Sequence, residues 1–220
     1  MKVNVNCPHF SFERRVDKKG FNLIAGVDEV GRGCFAGPVV AGCVIFSSDY
    51  IRSVKIVEVL INDSKKMSSK QRELSDKWIK SNCISWGLGE ASVSTINKIG
   101  IKKATEMAFR KAIVDANKKL EKSIEFLLID AFYAPYVKGL RRKNQMPIVK
   151  GDSQSISIAA ASIIAKVYRD NLMVKLGMNQ NYKKYGWFHN KGYGTKIHRQ
   201  AILENGVTKY HRKQFVRKLV

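Results

Sequence analysis

The sequence predicts an α/β protein in which one mixed β-sheet is covered by helices. Three observations indicate this class: β-branched apolar runs early in the chain, a long segment with helical spacing in the middle, and two further short apolar runs next to helical segments. The early runs have few helical residues between the first two, which favours an antiparallel meander. No Pro- or Ser-rich linker divides the 220 residues, so we expect one domain.

Five segments have the pattern of strands. The first two are apolar and β-branched, the third alternates in hydropathy, and the last two are short apolar runs that end at or just before an acidic residue. The predicted strands are residues 21–29, 38–46, 83–92, 126–130 and 146–150. Three early strands followed by strands that alternate with helices predict a sheet with both antiparallel and parallel pairs.

Three segments have the pattern of helices. Residues 101–120 carry apolar side chains at helical spacing, residues 68–80 follow a lysine-rich turn, and residues 153–176 form one long helix. The long helix contains a run of small residues, Ala159–Ala161 with Ser162 and Ala165. Small side chains let a helix axis lie close to a sheet, so we expect this helix to cover the sheet directly.

The charge of the chain is strongly positive. It has 40 Lys and Arg against 18 Asp and Glu, a net charge of +22, and residues 153–220 hold 13 of the basic residues with only two acids. Such a surface attracts polyanions, and nucleic acid is the expected partner. We therefore divide the single domain 1–220 into a short N-terminal extension (1–20), a central body, and a basic substrate-binding section from about residue 178 to 220.

Several classes of protein are excluded. No apolar run is long enough for a membrane helix, and the polar N-terminus lacks the apolar centre of a signal peptide. The four cysteines contain no CxxC pair, so a structural zinc site is not expected, and Cys34 and Cys43 are predicted to be buried free thiols. Together these features predict a soluble cytoplasmic protein.

Acidic residues stand at the ends of three predicted strands: Asp28 with Glu29, Asp130, and Asp152. Functional groups gather where the strands of α/β sheets end, and converging carboxylates repel one another unless a cation lies between them. Oxygen ligands suit Mg²⁺ or Mn²⁺. The alternative is that each acid pairs with an Arg or caps a helix; Asp152 in particular precedes Ser-Gln-Ser and a helix.

Consecutive residues of a regular strand point to opposite faces, so Asp28 and Glu29 cannot both face one site if the strand is regular. Gly31 and Gly33 follow at once, and we expect the chain to leave strand geometry near Glu29 and bring its side chain round. The same Gly31–Arg32–Gly33 segment can present backbone N–H groups and a guanidinium to a sugar phosphate. A plain turn is the alternative.

Six segments together resemble the ribonuclease HII (type 2 ribonuclease H) family. They cover most of the chain from about residue 23, and their combination is far more specific than any one of them. The segments are AGVDEVGRGCFAGPVVAGCVI (25–45), NDSKKMS (62–68), LLID (127–130), KGDSQSISIAAASIIAKVYRD (150–170), HNKGYGTKIHRQAI (189–202) and YHRKQF (210–215).

The resemblance implies a ribonuclease H-like fold, with a five-stranded mixed sheet flanked by helices and a helical C-terminal extension. It implies an endonuclease that uses two Mg²⁺ or Mn²⁺ ions to cut RNA–DNA hybrids, and duplex DNA 5′ to a single ribonucleotide, leaving 3′-hydroxyl and 5′-phosphate ends. This is a step of ribonucleotide excision repair. It also implies a monomer without an obligate protein partner.

Carried over by position, the catalytic and metal-binding acids are Asp28, Glu29, Asp130 and Asp152, and the substrate-binding residues are Gly31, Arg32, Gly33, Ser64, Lys65 and Tyr193. Tyr193 corresponds to a tyrosine that packs on the sugar at the RNA–DNA junction. For the stretch that holds Lys65, a solvated turn is the alternative. Related type 3 enzymes lack the Arg of this glycine motif, so Arg32 favours type 2. Ala131-Phe132 replaces a Gly that often follows the third acid.

Other residues have structural interpretations. We expect Asp170 to form an ion pair with Lys166, and Trp187 and Phe188 to lie in the core. His189, His198 and His211 are interpreted as phosphate neighbours or structural groups rather than a metal site. Two alternative functions remain: a non-catalytic basic protein, and another nuclease of the same fold, such as a resolvase or integrase.

Overall fold

The computed structural model describes residues 7–53 and 59–219. In this part of the chain, five strands form one sheet in the order β3-β2-β1-β4-β5. The strands are β1 (Ile24–Val30), β2 (Val39–Ile45), β3 (Ser85–Ala91), β4 (Phe126–Asp130) and β5 (Gln145–Ile148). All five lie within or next to the segments predicted from the sequence.

The pairing of the strands is mixed. The first three form an antiparallel meander, while β4 is parallel to β1 and β5 is parallel to β4. The central strand β1 therefore has an antiparallel neighbour on one side and a parallel neighbour on the other. This confirms the predicted mixed sheet, and it brings the C-terminal ends of β1 and β4 side by side.

Eight helices surround the sheet in the described residues. They are α1 (Ser11–Asp17), α2 (Ser48–Ser53), α3 (Ser69–Asn82), α4 (Val93–Asn117), α5 (Ile156–Met178), α6 (Trp187–Asn190), α7 (Lys196–Asn205) and α8 (Lys213–Val216). The predicted helix 101–120 is the main part of α4, which begins earlier and is interrupted at Gly100 by a non-helical φ of 79°. None of these helices is both long and apolar enough to cross a bilayer.

Helices α4 and α5 cover opposite faces of the sheet, and glycines allow the close approach. A Cβ at Gly26 of β1 would lie 2.1 Å from the carbonyl carbon of Ser157, and a Cβ at Gly42 of β2 would lie 2.2 Å from Ala161 O. On the other face, a Cβ at Gly89 would lie 2.0 Å from Ala108 O in α4. The small-residue stretch of α5 therefore packs directly on the sheet, as the sequence predicts.

The C-terminal section packs as a small helical layer with its own core. That cluster combines Ala36 and Met173 of the body with Tyr185, Trp187, Ala201, Ile202 and Val216. The core position of Trp187 is confirmed, but the expectation for Phe188 is wrong, because Phe188 is 42% exposed. The two residues are adjacent on the short helix α6, so they face different directions.

Part of the expected N-terminal extension belongs to the body, whereas residues 1–6 lie outside the described residues. Helix α1 buries Glu13, whose Oε1 accepts hydrogen bonds from Ser155 Oγ (2.6 Å) and Ser157 N (3.0 Å) at the start of α5. The predicted free thiols Cys34 and Cys43 are buried and unpaired.

Candidate active site

Two carboxylates meet at the ends of the central parallel strands. Val27 pairs with Ile129, and the next residue on each strand is an acid, Asp28 and Asp130. Gly26 faces α5, so Asp28, two residues further on, lies on the same face of the sheet. The carboxylate of Asp28 is buried and accepts a hydrogen bond from the Glu29 backbone N–H (2.7 Å).

Glu29 does not follow the sequence-based expectation. The strand stays regular through Val30, with Glu29 paired to Ala41, so the chain does not leave strand geometry at this residue. The Glu29 side chain therefore starts on the face opposite Asp28, where its Oε1 forms an ion pair with Arg32 Nη1 at 3.2 Å. The glycines that follow do not turn it round, because they lie beyond the last paired residue.

Asp152 reaches the cluster from a 3₁₀ turn (Gly151–Ser153) between β5 and α5. It does not cap α5; that role belongs to Ser155, whose side chain accepts from Ile158 N. The backbone N–H of Gly151 donates to Asp130 Oδ1 (2.7 Å), which ties this turn to the end of β4. Lys65 Nζ lies 3.7 Å from Asp152 Oδ2.

Three of these acids, Asp28, Glu29 and Asp152, have a raised proton affinity. Burial raises the pKa of Asp28 well above its usual range, and the charge of Glu29 raises it further, with smaller contributions from Asp130 and Asp152. Burial also raises the pKa of Glu29 to about 7 although Arg32 opposes the change, and it raises the pKa of Asp152. Carboxylates in such surroundings are costly to ionise unless a cation joins them.

The carboxylate oxygens are suitable ligands for a divalent cation, but their side chains are not arranged around a common point. Oε2 of Glu29 is buried without a hydrogen-bond partner, which leaves one carboxylate oxygen of the cluster unsatisfied. Within residues 7–53 and 59–219, however, no three His, Cys, Asp or Glu side chains are already placed to hold a metal ion. Two of the four carboxylates point toward Arg32 and Lys65 instead.

A cleft of ≈ 210 Å³ adjoins the acids and collects every residue predicted to bind substrate. Its lining consists of Glu29, Val30, Gly31, Arg32, Gly33, Ser64, Lys65, Ser162, Lys166 and Tyr193. Ser64 is almost fully buried and pairs with Ser162 Oγ at 3.0 Å, whereas the Lys65 side chain is 76% exposed. Ser64 is thus part of the wall of the cleft, and Lys65 reaches out beside the acids.

Two polar lining residues, Ser162 and Lys166, were not predicted as site residues. They are four residues apart on α5 and so lie on one face of the helix, a spacing that could have identified them. The predicted ion pair between Lys166 and Asp170 is confirmed at 2.8 Å, and Arg72 joins it at 3.6 Å from the same carboxylate. The ring of Tyr193 lies 5.4 Å from Lys166 Nζ.

Two buried arginines hold the segments around the cleft by hydrogen bonds to their backbone carbonyls. Neither arginine was predicted from the sequence. Arg169 donates to the carbonyls of Ala36, Pro38 and Lys191, and Arg212 donates to those of Arg32 and Gly37. The Gly31–Gly33 segment and the segment before Tyr193 are therefore held by neighbouring guanidinium groups. Both arginines are fully buried among backbone acceptors.

A chain of neutral histidines positions Tyr193. His198 Nδ1 donates to the Tyr193 carbonyl (2.9 Å), and His198 Nε2 accepts from Trp187 Nε1 (3.0 Å). His211 completes the chain at 3.1 Å from His198 Nε2 and accepts from Thr208 N. Burial lowers the pKa of His198, and burial with His198 nearby lowers that of His211 to about 4. The contacts of these two histidines correspond to a structural role, one of the two roles predicted for them.

The architecture defines the class of protein first. An antiparallel three-stranded meander continued by two parallel strands, with helices on both faces and acids at the central strand ends, is a ribonuclease H-like fold. Two solved structures share it. The ribonuclease H2 from Pyrococcus horikoshii OT3 aligns with a TM-score of 0.70 at 24% identity, covering 89% of this chain and 96% of that one. Bst-RNase HIII in complex with Mn²⁺ aligns with a TM-score of 0.70 at 19% identity, covering 89% and 68%.

Comparison of the sequence with known proteins then identifies the family. The family model described as Ribonuclease HII matches residues 25–219, and the chain belongs to this family. Ribonuclease HII of Caldanaerobacter subterraneus subsp. tengcongensis is 44% identical over 209 residues, covering 95% of this chain and 80% of the relative. Ribonuclease HII of Bacillus subtilis is 43% identical over 206 residues, covering 93% and 74%. The protein is accordingly a ribonuclease H, a phosphodiester hydrolase that cleaves the RNA strand of RNA–DNA hybrids.

Proposed function

We propose that this ribonuclease cuts duplex DNA on the 5′ side of a single embedded ribonucleotide, as well as hybrids, and that it acts with divalent metal ions. The observation that carries the proposal is one cleft lined by Glu29, the Gly31–Gly33 segment and Tyr193, whose Lys65 lies 3.7 Å from Asp152. A phosphodiester held at the acids would have its neighbouring sugar beside the glycines and the tyrosine ring.

The residues that would hold two Mg²⁺ or Mn²⁺ ions are Asp28, Glu29, Asp130 and Asp152. Their mutual repulsion and the unpartnered oxygen of Glu29 support this assignment. Binding requires Glu29 and Asp152 to turn away from Arg32 and Lys65. Ions held there would lower the pKa of the attacking water and stabilise the charge on the leaving oxygen. Arg32 and Lys65, once released, are placed to contact the phosphates that enter with the substrate.

Recognition of the ribonucleotide is assigned to the backbone of residues 31–33 and to Tyr193. The carbonyl of Arg32 is engaged by Arg212 and that of Gly31 by Cys34 N, so we infer that this segment offers N–H groups to the 2′-hydroxyl. Tyr193 is 38% exposed, and its ring can pack on the next sugar. A 2′-hydroxyl on that next sugar would crowd the Tyr193 ring, so a deoxyribose is favoured at this position.

The test is product mapping on a DNA duplex that contains one ribonucleotide, in Mg²⁺ and in Mn²⁺. We expect a single cut 5′ to the ribonucleotide, giving a 3′-hydroxyl and a 5′-phosphate, and no cut with EDTA. Asp130→Asn should remove cleavage while retaining binding of the duplex. Cleavage of hybrids but not of this duplex would contradict the ribonucleotide assignment, and full activity of Asp130→Asn would contradict the metal assignment.

A further inference from the structure

A second groove lies between α4 and residues 131–144, and none of its lining residues lines the cleft described above. Its volume is ≈ 540 Å³. Prominent among its lining residues are Arg110, Val114, Lys118, Tyr136, Val137 and Lys138. Three of these are cations, one is aromatic and two are aliphatic, and none of the described residues that line the groove is acidic.

In the described part of the chain, the cations of this groove outnumber the acids that line it and the adjoining surface. Among the described residues, none of Arg110, Lys118 and Lys138 forms an ion pair. Arg110 donates to the carbonyl of Pro135 (3.1 Å), which fixes the 131–144 segment to α4 without removing the charge. Asp115, which lines the adjoining surface, already accepts from Leu88 N. The groove therefore has a positive charge that an outside anion can balance.

Packing within the protein does not explain the exposure or the backbone conformation of Tyr136. It is 91% exposed, and its φ of 56° lies in the left-handed region, which bulky residues rarely adopt. Val114 beside it is also exposed. An exposed aromatic ring and an apolar wall are suited to the flat face of a base, whereas a duplex presents mainly phosphates to such a surface.

We propose that this groove binds a single-stranded segment of nucleic acid, RNA or DNA, that continues from the duplex held at the acids. Cations along a groove contact the phosphates, and an aromatic ring stacks with a base; this is how proteins hold single strands without sequence preference. Residues 131–144 of the protein also include Arg141, Arg142 and Lys143, which are all exposed and extend the positive surface. The proposal gives part of the +22 charge a role beyond the cleavage cleft.

The groove is close enough to the acids for one substrate to reach both. Residues 131–144 begin directly after Asp130, and Arg32 of the cleft lies over the Phe132 ring at 5.2 Å. Tyr136 is six positions after Asp130 in the chain, so the two residues lie at most about 20 Å apart. That length corresponds to about six nucleotide steps along a strand of B-form duplex, at ~3.4 Å each. A strand that leaves the duplex near the cut can therefore enter the groove.

The test compares the affinity of the full-length protein for a blunt RNA–DNA hybrid with that for the same hybrid carrying a 12-nucleotide single-stranded tail. Binding is measured by fluorescence anisotropy, with EDTA present to prevent cleavage. Tails of dT or U are placed on either strand and at either end, and each substrate is measured separately. We expect at least one tailed substrate to bind about tenfold more tightly than the blunt one. Tyr136→Ala should remove most of this ratio, since one stacked base contributes about that factor. Tyr136→Phe should keep it.

The cations are tested with Lys118→Gln/Lys138→Gln, matched by Lys18→Gln/Lys19→Gln, which removes the same charge from exposed residues at the end of α1. The groove pair should lower the salt dependence of tailed-hybrid binding by about 1.4 in log–log slope, and the control should leave the tail ratio intact. Thermal unfolding verifies that each variant is folded. Equal binding of blunt and tailed hybrids by wild type, or an equal loss of the ratio in the control pair, would overturn the proposal.

Discussion

The guanidinium group of Arg169 occupies the place where a side chain at Gly31 would begin. A Cβ at Gly31 would lie 2.1 Å from Arg169 Nε, and the φ of Gly31 is +91°. Arg169 cannot easily move aside, because it donates to three backbone carbonyls. The glycine is therefore required by the packing of a buried arginine as well as by its own backbone.

This relationship predicts the effect of Gly31→Ala. The methyl group would displace Arg169 and strain the backbone, at a cost of about 2–3 kcal/mol in the free energy of unfolding. Cleavage at a lone ribonucleotide should fall as well, because the segment around Tyr193 loses its contact through the Lys191 carbonyl. Denaturant unfolding and initial rates measure the two effects.

Gly33→Ala is the matched control for stability. A Cβ at Gly33 would meet nothing within 4 Å, and its φ is not positive. Its free energy of unfolding should therefore stay within about 0.5 kcal/mol of wild type. If the two alanine variants were equally stable, the packing of Arg169 against Gly31 would not be the reason for the glycine.

Tyr193→Ala should separate two activities. The backbone of Tyr193 is held by His198, so removing the ring leaves the segment in place. We expect cleavage at a single ribonucleotide to lose about tenfold more in kcat/KM than cleavage of a uniform hybrid, a difference of about 1.4 kcal/mol. Tyr193→Phe keeps the ring and should retain the preference. Equal losses on both substrates would rule out a role at the junction.

The acids could be predicted because they depend on a local rule. Asp28 and Asp130 follow apolar strands, and the parallel pairing of those strands brings them together. Glu29 shows the limit of this reasoning, because strand pairing with Ala41 continues past it and sets its face. The glycines at 31 and 33 indicate a turn, but the sequence does not show at which residue the pairing stops.

The arginines around the cleft could not be predicted, because their partners are distant backbone carbonyls. Arg212 contacts Arg32, 180 residues away in the chain, and nothing in the pattern of either segment indicates that contact. Ala131 is a different case. Its φ of 64° shows that the residue after the third acid adopts the left-handed conformation, which glycine adopts without steric cost. The sequence indicated the substitution but not the conformation that Ala131 has to adopt.

The buried histidines predict a loss of stability in acid. His211 has a pKa of about 4 in the folded protein against about 6.5 when unfolded, so its neutral form favours folding above pH 6.5. This contribution, about 2–3 kcal/mol, should fall away as the pH drops from 6.5 to 4. Protonation at Nδ1 of His211 would also remove the hydrogen bond that it accepts from Thr208 N.

His211→Gln isolates this effect from the carboxylates that titrate in the same range. The difference in free energy of unfolding between wild type and variant should be largest above pH 6.5 and shrink toward pH 4. Urea unfolding at several pH values measures it. A difference that stays constant with pH would show that His211 does not titrate on unfolding.

The raised pKa of Glu29 predicts that this carboxylate destabilises the folded protein when no metal is bound. Burial raises its pKa from 4.5 to about 7, so its protonated form favours folding below pH 4.5, and this contribution is lost as the pH rises through 7. Without metal at pH 8, Glu29→Gln should be more stable than wild type by about 2 kcal/mol, after allowance for the lost ion pair with Arg32. The advantage should disappear below pH 4.5.

Mg²⁺ should reverse this order. Ions that bind only the folded protein stabilise it by mass action, so wild type should gain in Tm with increasing Mg²⁺ while Glu29→Gln gains less and loses cleavage. Asp49→Asn, which removes a carboxylate that is 98% exposed on α2, is the control and should behave as wild type in both conditions. An equal Mg²⁺ response in wild type and Glu29→Gln would remove Glu29 from the metal site and leave its raised pKa as a property of burial alone.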